Sequence, residues 1–251
     1  MAMGLVQHIT ASLLCLAAFS AAIPHIANND QTVRSVVPYG VIIDRCTVPG
    51  TVALTFDDGP WIYTARTLEI LRENGARVTF FINGQALGNI YAFSGLVQQA
   101  LADGHQVASH TWSHPFLPAL DRDAIIGEMT RLEAAFMDVI GAFPTYMRPP
   151  FLAVNGLVLS TMAELGYHVI SASTDTKDYE NDDPNLIHRS IEKFRNELNA
   201  GGTIVLAHDV HQQTVDMLLQ AMLDDVRARG LTPVPVGECL GDSPGEWYRA
   251  W

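Results

Sequence analysis

From Thr51 onward, short β-type runs alternate with helix-periodic segments, and most helical segments stop at a glycine before the next run. The expected strands are Val52–Phe56, Arg77–Ile82, Gln106–Ser109, Thr145–Met147, His168–Ser173, Thr203–Ala207 and Leu231–Val236. Between them, Asp123–Ile140 repeats Ile125, Met129, Leu132, Phe136 and Ile140 at helical steps, and 214–228 does so with Val215, Leu218, Leu219, Met222 and Val226. Gly75, Gly104, Gly141, Gly166, Gly201 and Gly230 sit where a helix C-cap needs a left-handed residue. Strands and helices in strict alternation predict an α/β fold on a parallel sheet. A single-domain barrel of about seven strands is the expected closure, with an open doubly wound sheet as the competing topology. A length of 251 residues suits one domain, and 48% apolar content is enough for its core.

The first residues read differently. Ile9–Ala22 is a short apolar run ending in small residues, so residues 1–22 are expected to be a secretory signal peptide, with a buried N-terminal helix as the alternative. Residues 23–42 then form a polar leader, and 43–251 the folded domain. Cys15 falls in the segment to be removed, which leaves Cys46 and Cys239 near the first and last strands. In a closed barrel those places are neighbours, so a disulfide is reasonable; two unrelated thiols are the alternative. A net charge of −12 repels phosphate backbones and argues against nucleic acid as a partner. No apolar tail suggests an anchor, so an extracellular, soluble monomer without membrane attachment is expected.

Polar residues gather where strands run into loops, the active face of a parallel barrel. Five such loops carry Thr55-Phe56-Asp57-Asp58-Gly59-Pro60, Ser109-His110-Thr111-Trp112-Ser113-His114-Pro115, Arg148-Pro149-Pro150-Phe151, Asp175-Thr176-Lys177-Asp178-Tyr179 and Leu206-Ala207-His208-Asp209. Two imidazoles four residues apart plus one carboxylate suit zinc with an open position for water. Either part alone is weak evidence, since paired histidines are commonly surface groups and Asp-Asp-Gly is commonly a turn. Together at strand ends they point to metal-assisted hydrolysis, one Asp binding metal and its neighbour serving as base.

These five segments, in this order, resemble the five motifs of the polysaccharide deacetylases (carbohydrate esterase family 4), over roughly residues 47–240, and most closely the fungal chitin deacetylases. The resemblance implies a distorted (β/α) barrel. It implies that Asp58, His110 and His114 hold Zn2+, with Co2+ or another divalent ion as alternatives. Asp57 would be the general base, held ionised and aimed by Arg148. His208 would be the general acid, kept oriented and protonated by Asp175. Leu206 and Tyr179 would line the acetyl pocket, and the Phe151 backbone N–H would help hold the oxyanion. A cysteine pair flanking the barrel is also a feature of the fungal members. The chain departs from the family pattern at Tyr179, where tryptophan is usual, at Phe151-Leu152, where Tyr-Gly is usual, and at Phe116, where an acidic residue is frequent.

The resulting expectation is removal of N-acetyl groups from chitin or its oligomers. Acetylxylan O-deacetylation and chitin binding without turnover are the alternatives; a two-carboxylate glycosidase would leave the histidine pair and Arg148 unexplained. Trp112 is expected to pack, with a sugar platform as its other reading. His105, His168, His188 and His211 are expected to be structural or exposed, and 178–184 a solvated loop.

Overall fold

The computed structural model describes residues 37–250 and Met1; the expected signal peptide, Cys15 and most of the expected leader lie outside the described residues. The sheet strands are β1 (Ile42–Ile43), β2 (Thr51–Asp57), β3 (Thr79–Ile82), β4 (Gln106–Ser109), β5 (Tyr146–Met147), β6 (His168–Ile170), β7 (Thr174–Asp175), β8 (Ile204–Ala207) and β9 (Thr232–Pro233). Their order is β1-β6-β5-β4-β3-β2-β8-β7, with β9 against the start of β2, and every pairing among them is parallel.

The expected fifth strand, His168–Ser173, is divided. It pairs with β5 only as far as Ile170, and after the link 171–173 the strand β7 pairs with β8 at the far end of the order. The link touches both sides: Ser171 donates its backbone N–H to Ile43 (2.7 Å), and Ser173 donates to Ile204 (3.0 Å). One short segment thus visits both edges of a curled sheet, and the result is a distorted (β/α) barrel in a single domain.

Strand periodicity sorts the side chains. On β2, Val52, Leu54 and Phe56 face the helices and join Leu68, Leu71, Phe136 and Met222 in the main core. Ala53 belongs to a second, interior cluster with Phe81, Ala108, Tyr146 and Ile204. Thr55 and Asp57 share the parity of Ala53, so the same alternation that buries the strand carries a carboxylate to the barrel mouth.

Helix Arg122–Ile140 begins where Asp121 accepts from the Ala124 N–H (2.9 Å) and ends at left-handed Gly141. Gly156–Leu165 is bounded in the same way by Asn155 and Gly166. The segment 214–228 opens instead with a π-turn, Thr214–Leu218, before the α-helix Leu219–Ala228.

Two boundaries need correction. The fold enters the expected leader: Val37 is buried, Tyr39 stacks on His168, and Ile42–Ile43 is a strand. The expected strand Leu231–Val236 keeps only Thr232–Pro233: Thr232 and Val234 donate to the Gly50 and Val52 carbonyls, but the Val236 N–H goes to the Thr79 hydroxyl (2.8 Å) and the chain turns into a helix. Cys239 therefore ends a short helix, Val236–Cys239, and forms a disulfide with Cys46.

Candidate active site

Asp57 is the last residue of β2, and Asp58 follows in a left-handed conformation that turns its side chain away from its neighbour's. Asp58 Oδ1 lies 3.4 Å from His110 Nε2 and 3.3 Å from His114 Nε2. Four ligands held tetrahedrally at zinc's bond lengths stand about 3.3 Å apart, so these spacings suit one ion. Asp58 Oδ1 is buried and has no hydrogen-bond partner, which leaves it available to a cation. One ligand atom from each of Asp58, His110 and His114 lies within 4.8 Å of the others, a group that could hold a metal ion.

The orientation of His110 is fixed from behind. Its Nδ1 lies 2.7 Å from the Arg148 carbonyl oxygen, an acceptor, so Nδ1 carries the proton and Nε2 offers its lone pair to the site. Burial would raise the Asp58 carboxyl, but the neighbouring imidazoles of His110, His208 and His114 outweigh it and hold the group well below the ordinary range.

The Arg148 side chain is wholly buried, lies 4.3 Å over the Phe81 ring, and donates to Asp57 Oδ1 (2.8 Å), Thr55 Oγ1 (2.5 Å) and the Ser171 carbonyl (3.0 Å). Asp57 Oδ2 is left facing the histidines, 3.7 Å from His110 Nε2. The two adjacent aspartates are thereby separated in setting, one between imidazoles and the other on a guanidinium.

His208 stands at the end of β8. The carboxylate on its Nδ1 is that of Asp178, at 2.8 Å, and not that of Asp175. Asp178 is wholly buried, and its Oδ2 also accepts the His208 backbone N–H (2.6 Å) and the Thr214 hydroxyl (2.8 Å). Burial would push the His208 imidazole down, but the charge and bond of Asp178 dominate and lift it to about 9. Burial likewise opposes ionisation of Asp178, yet His208 and its other donors hold the group low. Asp175 instead accepts from the Lys177 N–H and the Tyr179 hydroxyl. The expected solvated loop is therefore anchored at its start, where Asp178 and Asn181 are buried. Thr214 is a further contributor that the sequence reading did not identify; its only signal was a position one turn after His211.

Of the expected pocket residues, Leu206 is buried on β8, and Tyr179 sets its ring edge-to-face on His208 at 5.3 Å. Phe151 is 66% exposed and lies 4.7 Å from the His114 ring, with Phe116 at 6.2 Å. Trp112 packs as expected: it is buried in the main core, lies under Arg131, and fills the space above Gly84, where a Cβ would come within 2.0 Å of its ring. His105 and His168 are buried, His188 is exposed, and His211 is partly exposed, 3.4 Å from Asp182.

Among the described residues, the non-glycine positions with positive φ are Asp58, Thr111, His114, Phe151, Leu152 and Lys177. All six belong to the four loops that bring Asp58, His114, Phe151 and Tyr179 together. Left-handed backbone is costly for such side chains and gathers where surrounding structure must aim them.

Comparison with known proteins agrees with this geometry. Residues 44–170 match the family model described as polysaccharide deacetylase. A chitin deacetylase of a Pestalotiopsis species is 51% identical over 220 residues, 88% of this chain and 74% of that protein. A probable peptidoglycan-N-acetylglucosamine deacetylase of Arthroderma benhamiae is 52% identical over 87% of this chain, which spans 50% of that longer protein. The structure of the chitin deacetylase from Colletotrichum lindemuthianum superimposes with a TM-score of 0.83 at 46% identity, covering 86% of this chain and 98% of that one.

Proposed function

The chain belongs to the polysaccharide deacetylase family and is a hydrolytic deacetylase, and we propose that it removes N-acetyl groups from chitin or chitooligosaccharides, using Asp58, His110 and His114 to hold a divalent cation, zinc by the chemistry of the donors. The observation that carries this reading is the division of labour around Asp58 Oδ1: two imidazoles converge on it, a second carboxylate stands beside it on Arg148, and a protonated imidazole lies across the mouth. When bound, the cation would polarise the acetamide carbonyl and make water acidic enough to attack near neutrality.

The chain's own groups supply the proton transfers. Asp57 Oδ2 takes a proton from the attacking water, while Oδ1 stays on Arg148. His208 delivers its Nε2 proton to the amide nitrogen, which must be protonated to leave as an amine. Asp178 holds Nδ1 throughout, so the ring presents only Nε2 to the substrate. Leu206 and Tyr179 enclose the acetyl methyl. Phe151 lies beside His114, where its backbone N–H would meet the developing oxyanion.

An acid held to about 9 favours an amide substrate over an ester. A sugar ester leaves as an alkoxide that needs less protonation, so acetylxylan is the secondary reading. Relatives named chitin deacetylases support chitin as the first reading. Export belongs to the same proposal. The Cys46–Cys239 disulfide suits an oxidising compartment, and among the described residues no helix is long and apolar enough to cross a membrane.

The test is acetate release from a ladder of chitooligomers by zinc-loaded protein. Release should stop with a chelator and resume with zinc or cobalt. Unchanged turnover in His110→Ala would refute the reading, and faster release from acetylxylan than from chitopentaose would exchange its substrate for the secondary one.

A further inference from the structure

One buried acid has no part in these steps. Asp209 directly follows His208, is wholly buried, and lies against Gly59 in the loop that carries Asp57 and Asp58. Its Oδ2 accepts the Thr64 hydroxyl at 2.6 Å, and Thr64 Oγ1 in turn accepts the Trp61 backbone N–H at 2.9 Å. Its Oδ1 has no hydrogen-bond partner and lies against Gly59, where a Cβ would come within 2.9 Å of that oxygen. On one side the lining is apolar: a cavity of about 10 Å3 beside it is bounded by Phe80, Ile82, Leu96 and Val97.

Packing alone does not account for a carboxyl here. A buried acid with one oxygen unpaired costs folding free energy, and an aliphatic side chain of similar volume would suit that lining better. What the acid does that an aliphatic group could not is connect two loops. A continuous set of bonds runs from the Trp61 N–H through Thr64 to Asp209, and Asp209 is one peptide from His208. Gly59, one peptide from Asp58, gives that carboxyl room to pass beneath the turn. Both ends of the reaction, the cation-binding loop and the acid, meet at this one group.

We propose that Asp209 is a positioning residue, a strut that sets the separation between Asp58 and His208 through Thr64 and the Gly59 turn. The inference rests on the deacetylase reading above, in which those two residues must act on one acetamide together. A strut of this kind affects turnover more than binding, because a sugar chain held along the rim does not require the two loops to be in register. It also opposes stability to activity, since the substitution that best fits the apolar lining is the one that removes the link.

The experiment compares zinc-loaded wild type, Asp209→Leu, Asp209→Asn and Thr64→Val on chitopentaose, with melting temperature and zinc content measured for each. Expected for Asp209→Leu is a melting temperature at or above wild type, kcat down at least tenfold and KM within twofold. Asp209→Asn keeps an oxygen for Thr64 and should hold kcat within about threefold. Wild-type kcat in a folded Asp209→Leu overturns the proposal, as does an equal loss of kcat in the Asn and Leu variants. If the Leu variant does not fold, Thr64→Val decides: lowered kcat at unchanged KM supports the strut, and wild-type kcat overturns it. Inactive zinc-loaded wild type would instead refute the deacetylase reading itself.

Discussion

Asp178 grips His208 twice, accepting the ring Nδ1–H at 2.8 Å through one oxygen and the residue's own backbone N–H at 2.6 Å through the other. A carboxylate can only accept, so this contact also assigns the imidazole its tautomer. It follows that the position of the acid and its protonation depend on the same side chain.

That coupling sets a pH dependence. The folded His208 lies at about 9, above its ordinary 6.5. A raised histidine stabilises the fold fully below its unfolded value, and the contribution disappears as pH rises through the folded one. Turnover of an amide should fall above about pH 9 for a separate reason, because His208 then loses the proton it must donate. In Asp178→Asn the alkaline limb of the kcat profile should move toward neutrality, and kcat should drop by about 10²-fold, in the range of lost general-acid catalysis. A limb that stays in place would show that another group sets it.

The same pair shows what sequence could and could not reveal. Asp57, Asp58, His110, Arg148 and His208 lie at or just beyond strand ends, which strand periodicity locates closely, and His114 follows His110 by four residues. Asp175 ends β7, and Asp178 stands three residues on, past a left-handed Lys177, at the start of a short 3-10 turn. Which of the two turns inward depends on that turn, and no hydrophobic period records it. The break after Ile170 escaped for a related reason, since pairing partners at opposite ends of a sheet leave no mark on the pattern of a short run. Trp112 lay in a motif with two proposed ligands, yet its burial depends on Gly84, 28 residues away in sequence and adjacent in space.

Arg148 should tolerate no shorter cation. Its planar fork reaches Asp57, Thr55 and the Ser171 carbonyl together, and a lysine has one centre to offer. Arg148→Lys should lose at least tenfold in kcat. Arg148→Ala strands a buried carboxylate and should destabilise by about 3–5 kcal/mol, readable as a shifted urea midpoint.

Trp112 and substrate binding should separate. Trp112→Ala removes a buried indole from the main core and should cost about 3–5 kcal/mol of stability. Where the variant remains folded, KM for chitooligomers should be unchanged. A raised KM in folded protein would restore the sugar-platform reading.

The disulfide should matter to the fold and not to the chemistry. Cys46 and Cys239 flank the ends where β2 begins and β9 has passed, opposite the mouth formed by the strand C-termini. Closing a loop across 193 residues of separation is worth about 5 kcal/mol in the chain-entropy model. At about 2–4 °C per kcal/mol for this size, the paired Cys46→Ser and Cys239→Ser variant should melt on the order of 10 °C lower. Its kcat at 25 °C should match wild type; a matching fall in kcat would mean that the two ends of the barrel are coupled.

The central claim is that one aspartate binds the cation while its neighbour is free to act as base. Metal content by mass spectrometry of wild type, Asp57→Asn and Asp58→Asn, after identical zinc loading and dialysis, tests it most directly. One zinc per chain is expected in wild type and in inactive Asp57→Asn, and none in Asp58→Asn. Full zinc occupancy in Asp58→Asn, or its loss in Asp57→Asn, would contradict the assignment.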